Sequence, residues 1–173
     1  ITSGRRWDTN GFWRTVWLMW RLRAAYALGA DPAELAHRYG YRARAGAAVV
    51  VMAKAPVAGL AKTRLMPALG AAGAARAQRS LALRTLRTVR EAATGPLTVW
   101  CAPDVTHRFF RMLQQRHGVA CHPQPSGDLG CRMTSAMQAH FQRQPGQPLI
   151  IVGTDCPALT PAHLQQAADA LQA

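Results

Sequence analysis

Three cations fall within eleven residues in the run Lys54-Ala55-Pro56-Val57-Ala58-Gly59-Leu60-Ala61-Lys62-Thr63-Arg64. The continuous apolar run 47–53, with three consecutive valines, comes immediately before it and reads as a buried strand. Lys54, Lys62 and Arg64 therefore stand on the loop leaving a strand, with Pro56 and Gly59 shaping its path. Open α/β sheets bind ligands beyond the carboxyl ends of their strands. Lysine brings a point charge to such a place and arginine a bidentate fork. Together with backbone N–H groups at a turn they suit a pyrophosphate. Gly59 precedes Lys62 by three residues rather than one, so this is no Walker A loop, and no G-x-G-x-x-G fingerprint occurs. A solvated basic loop is the competing reading.

Two further segments carry candidate chemistry. Gly153-Thr154-Asp155-Cys156-Pro157 follows the apolar run 149–152. A carboxylate emerging from a buried strand is costly without a partner. Mg²⁺ or Mn²⁺ favours one or two carboxylates together with phosphate oxygens, which makes Asp155 a candidate ligand. An Asx turn or a helix cap ahead of Pro161 is the alternative. In Ser126-Gly127-Asp128-Leu129-Gly130-Cys131-Arg132, Asp128 stands where a helix would begin and suits a cap. Gly127 and Gly130 leave room for a close backbone approach. The six histidines show no metal-ligand spacing, and no Ser-His-Asp or Cys-His arrangement is legible.

The elements that must position these loops follow from apolar patterning. Strands are expected at 47–53, 97–101, 119–122 and 149–152, and helices at 71–93, 105–116, 129–142 and 161–171. Strand followed by helix, four times over, predicts a Rossmann-like layered α/β fold with a mainly parallel sheet covered on both faces. Residues 1–46 differ in kind. Four of the five tryptophans lie in the first 20 residues, and Trp13, Trp17 and Trp20 share one helical face. Asp31-Pro32-Ala33-Glu34 reads as the start of a second short helix. The tryptophan helix is expected to pack on a neighbouring domain. Peripheral membrane contact through residues 12–28 is the alternative.

Composition narrows the function classes. The 173 residues carry 21 Lys+Arg against 8 Asp+Glu, a net charge of +13, and suit one domain with an appendage. A hydrophobic content of 49% excludes a disordered basic tail. No run of 18 uncharged apolar residues exists, so no ordinary transmembrane helix is expected, and the first residues do not resemble a signal peptide. Such a charge raises nucleic acid as a partner. However, only two of the 21 cations are lysine, and arginine and alanine are spread throughout. That pattern reads as compositional drift, and no nucleic-acid partner is expected. The four cysteines lack C-x-x-C or zinc spacing and read as reduced thiols of a cytoplasmic protein.

These motifs also carry a resemblance. Val49-Val50-Val51-Met52-Ala53-Lys54-Ala55-Pro56-Val57-Ala58-Gly59 with Lys62-Thr63-Arg64-Leu65 resembles the opening of a bacterial family of small glycosyltransferases, the DUF2064 group associated with arsenosugar biosynthesis. Gly127-Asp128-Leu129-Gly130 with Arg132-Met133, and then Ile151-Val152-Gly153-Thr154-Asp155-Cys156-Pro157-Ala158-Leu159, resemble its next two motifs in order. The resemblance covers residues 47–173 and implies the GT-A nucleotide-diphospho-sugar transferase fold. It implies that Lys54, Pro56, Gly59, Lys62, Arg64, Gly127, Asp128 and Arg132 surround the nucleotide diphosphate. Asp155 becomes the catalytic, metal-binding acid, with Mg²⁺ or Mn²⁺ as cofactor. The implied partners are a nucleotide-diphospho-sugar and a small acceptor.

The chain departs from that pattern in two ways. Cys131 stands where the family usually has an acid. The family also continues with another strand and an Asp-Gly-Gly-Tyr motif, so part of the sugar or acceptor side is expected to be missing here. Residues 1–46 resemble the carboxyl-terminal tail of a family-2 glycosyltransferase, through Thr2-Ser3-Gly4-Arg5-Arg6-Trp7, Trp13-Arg14-Thr15 and Tyr26-Ala27-Leu28-Gly29-Ala30-Asp31-Pro32 among other residues. A fusion of two transferases is the expected context. The sequence leaves three rival functions: a nucleotidyltransferase of the same fold, a non-catalytic binding module for anionic ligands, and an inactive fragment supporting its neighbour.

Overall fold

A computed structural model describes residues 46–172. The helices expected within 1–45, and the membrane contact through 12–28, lie outside the described residues. Four strands, β1 (Ala48–Lys54), β2 (Leu97–Ala102), β3 (Ala120–Pro123) and β4 (Leu149–Gly153), form one sheet in the order β3-β2-β1-β4. All three pairings are parallel. Central β1 aligns Val51 with Val99 on one side and with Val152 on the other. Six of its seven residues are buried, because helices cover both faces, and this is why its sequence is continuously apolar.

The helices are α1 (Met66–Ala92), α2 (Arg108–His117), α3 (Leu129–Arg143) and α4 (Pro161–Ala170), with a short 3-10 turn at Thr63–Leu65. The chain runs from β1 to β2 to β3 in one direction across the sheet, then returns past β1 to β4. Right-handed crossovers therefore place α1 and α2 on one face and α3 on the other. The core divides accordingly. Val49, Val51, Val99 and Cys101 pack with Leu86 and Val89 of α1, Phe110 and Leu113 of α2, and Leu164 of α4. Val50 and Met52 turn the opposite way and meet Ala136 of α3. This alternation is the two-residue period of the strand read as two cores.

Local chemistry explains the element ends. Gly70 takes φ 66° and ψ 169°, a backbone region essentially confined to glycine, so the regular run of α1 begins at residue 71, as the sequence predicts. Thr160 caps α4 by accepting a bond from His163 N, and His163 Nδ1 accepts from Thr160 N in return. Asp155 is therefore not that helix's cap. All four cysteines are free thiols. A hydrogen bond to Cys121 and burial push the Cys101 thiol up, which keeps it protonated. Among the described residues no helix is long and apolar enough to cross a membrane.

Phe110 is fully buried and meets the Phe109 ring edge-on at 5.4 Å. Phe110→Ala removes a large side chain from the larger core and should cost about 3–5 kcal/mol. Denaturant unfolding should show a lower midpoint with an unchanged slope.

Candidate functional site

The direction of chain travel reverses between β1 and β4, and open α/β sheets bind ligands beyond the carboxyl ends of the strands at such a reversal. The loop after β1 and the loop after β4 meet there. Lys62 adopts a left-handed backbone (φ 50°, ψ 46°) just before the 3-10 turn. That conformation is uncommon for a residue with a Cβ. It directs Nζ to within 2.6 Å of Asp155 Oδ1. The lysine side chain is only 17% exposed whereas the aspartate is 75% exposed, so the pair has an enclosed cation and an open carboxylate. Neighbouring Thr154, itself buried, donates through Oγ1 to Asp155 Oδ1 at 3.3 Å. A half-open pair of this kind contributes about 1 kcal/mol or less, so a stronger anion can compete for the lysine.

Gln78 of α1 locks the two loops together. Its side chain is almost wholly buried, and Nε2 donates to Lys54 O at 3.0 Å and to Thr154 Oγ1 at 3.2 Å. The last residue of β1 and the first residue beyond β4 are thus held by one amide. Ala55 and Ala61, both buried, anchor the rest of the first loop, and Ala55 N donates to Ala102 O of β2 at 2.7 Å. Between these anchors Pro56 is half-buried, and Gly59 is exposed with φ 82°. Lys54 and Arg64 are exposed at either end of the loop.

A second cluster forms after β3. Gln124 N donates to Cys101 O at 2.9 Å, and Nε2 donates to Trp100 O at 2.7 Å and Ala53 O at 3.4 Å. Its Oε1 accepts from Arg132 Nη1 at 3.4 Å, and Arg132 Nε donates to Gly127 O at 2.9 Å. Arg132 is therefore turned inward to brace this loop. Gly127 has φ 113°, and a Cβ there would lie 3.2 Å from Cys131 Cβ. Asp128 caps α3 by accepting from Cys131 N at 2.8 Å, and this backbone bond holds its carboxyl below the usual carboxylate range. A depressed folded pKa means that the cap's contribution is present at neutral pH. It is lost as pH falls through the lowered value.

The structure thus joins Lys62 and Asp155 directly, and joins Lys54 to them through Gln78. It gathers Gly127, Asp128 and Arg132 around Gln124, which reaches the end of β1 through Ala53 O. The two glutamines are absent from the sequence-based candidates. Gln78 resembles any polar residue of an arginine-rich helix. The available signal is its register: Ala74, Gln78, Ala82, Thr85 and Val89 follow one buried stripe. Among the described residues no three His, Cys, Asp or Glu side chains group to hold a metal ion. One carboxylate can still suit Mg²⁺ or Mn²⁺, which commonly completes its shell with water and ligand phosphate oxygens.

Gln78→Leu keeps the volume and removes both bonds, leaving the Thr154 hydroxyl buried without that donor. It should cost about 1–3 kcal/mol. Thermal unfolding of the full chain checks this, and an unchanged midpoint would count against the locking role.

The family described as "Uncharacterized protein conserved in bacteria (DUF2064)" matches residues 85–173, a span that includes the Gly127–Arg132 cluster and Asp155. No curated protein matches the chain. A crystal structure of a proposed nucleotide-diphospho-sugar transferase from Desulfovibrio desulfuricans G20 is similar, with a TM-score of 0.65 at 24% identity. The match covers 74% of this chain and 55% of that protein. The likeness shows a shared α/β fold, of which this chain spans little more than half.

Proposed function

This chain belongs to the DUF2064 family of bacterial proteins, and on that premise we propose that it transfers a sugar from a nucleotide-diphospho-sugar to a small acceptor. The observation that carries the reading is the Lys62–Asp155 pair at the reversal of strand order. An enclosed ammonium beside an open carboxylate can accept a diphosphate on the lysine side. Lys62 would move from Asp155 to a phosphate oxygen, while Lys54 and Arg64 add charge from the same loop. All three then stabilise the negative charge that grows on the nucleoside diphosphate as the bond to the sugar breaks. Asp155 would hold Mg²⁺ or Mn²⁺ together with the diphosphate oxygens, and the ion would neutralise that same charge. The Gly127–Arg132 loop, with its positive φ at Gly127, would border the approach as a preformed wall that carries the Arg132 charge. Residues 1–46 would be the tail of a preceding family-2 transferase.

Titration of the full chain with UDP- and GDP-sugars, with and without Mn²⁺, tests the reading. Lys62→Ala should weaken binding by about tenfold or more, as expected for the loss of a charge-assisted bond. Asp155→Ala should abolish the gain from Mn²⁺. Undiminished binding in both variants would overturn the site. Release of pyrophosphate from a nucleoside triphosphate would assign the pocket to nucleotidyl transfer instead.

A further inference from the structure

A groove of about 600 Å³ lies between the amino-terminal turns of α1 and α2, beside Pro56 and Ala58 of the first loop. Its volume suits a small organic ligand. Arg76 and Arg79 of α1 and Arg108 of α2 line it, together with Phe109 and Met112. Phe109 is buried and Met112 half-buried, so the charged groups surround an apolar base.

One of these charges is in the wrong place for the helix that carries it. A helix amino terminus favours anions, through its exposed N–H groups and aligned peptide dipoles. Neither α1 nor α2 has an acid in its first turn, and α2 opens directly on Arg108. Arg76 and Arg79 follow one and two turns further along α1, whose regular run starts at residue 71, and project their charge into the same groove. Among the described residues the sole ion pair is Lys62–Asp155, so none of these three guanidiniums is matched by a carboxylate. His107 adds a fourth donor. Its Nδ1 accepts from Phe109 N, which leaves the proton of the neutral ring on Nε2. Three arginines with no carboxylate partner among the described residues, the amino terminus of α2 and a concave apolar base thus converge on one groove.

We propose that this groove binds a phosphate monoester carrying a compact apolar group, at a site beside and separate from the Lys62–Asp155 junction. The guanidiniums would fork onto the phosphate oxygens while Phe109 and Met112 take the body. Calorimetric titration of the full chain with phenyl phosphate, inorganic phosphate and UDP tests it at physiological ionic strength. Phenyl phosphate should bind more tightly than inorganic phosphate. The exposed pair Arg76→Gln/Arg79→Gln should lower its affinity by about tenfold or more, and Arg108→Gln should lower it as well. Lys62→Ala should leave phenyl phosphate binding unchanged. Equal affinity of the arginine variants and the native chain, or no binding of phenyl phosphate at all, would reduce the groove to an arginine-rich surface. A parallel loss of UDP affinity in the arginine variants would make the groove part of the nucleotide site and also overturn the proposal.

Discussion

The parallel pairing of β1 on both of its edges is the constraint from which the rest follows. With β2 on one side and β4 on the other, β1 is enclosed laterally, and helices close it above and below. A strand in that position has no solvent-facing side and must be apolar throughout. Its polar neighbours in sequence are then driven to its carboxyl end. The strands beside it run the same way, so the ends of β1 and β4 finish together. The connections leave in opposite directions, and the gap between them cannot be filled by either crossover helix. Lys62 and Asp155, separated by more than half of the described chain, meet at that gap.

A gap lined by loops would be soft without further support, and two amides supply it. Gln78 and Gln124 each span two strand ends, the first from a helix on one face and the second from the loop after β3. A glutamine suits this task because it donates and accepts without carrying charge, so its burial costs no ion desolvation. The arrangement separates two jobs. Neutral groups fix the loops, which leaves Lys54 and Arg64 exposed and Lys62 held only by its half-open pair with Asp155. Arg132 is the instructive exception. It reads in sequence as another ligand cation, and two of its N–H groups also brace Gln124 and the Gly127 carbonyl, while its charge and its other donors remain.

Much of this architecture was legible because the relevant signals are local. The valines of β1, the Asp128 cap and the start of the regular α1 run after Gly70 are properties of a few adjacent residues. The cap of α4 is equally local, since Thr160 directly precedes Pro161, whereas Asp155 lies too far from that helix to cap it. The locking glutamines were not legible, because their meaning lies in partners far along the chain. Gln78 finds Thr154 across 76 positions, and Gln124 finds Ala53 across 71. Only the strand order brings those pairs together. Likewise Lys62 and Asp155 were separate candidates in the sequence, and their pairing depends on β4 lying beside β1 rather than at the far edge.

The same distinction applies to the basic surplus. Residues 47–173 carry thirteen Lys and Arg against five acids, and drift toward arginine accounts for the number. It also accounts for Arg84, Arg87 and Arg90, which are exposed along the later turns of α1. A cation there is electrostatically tolerated or favoured, because the carboxyl end of a helix is its negative end. Arg90 even donates to the His117 carbonyl at the corresponding end of α2. Drift alone gives no reason for Arg76, Arg79 and Arg108 to line one concavity, with Arg108 at the positive end of α2. Among the described residues no carboxylate pairs with any of them, so their mutual repulsion carries a small cost. An anion in the groove removes that cost. The position of the charge, rather than its amount, is what separates composition from function in this chain.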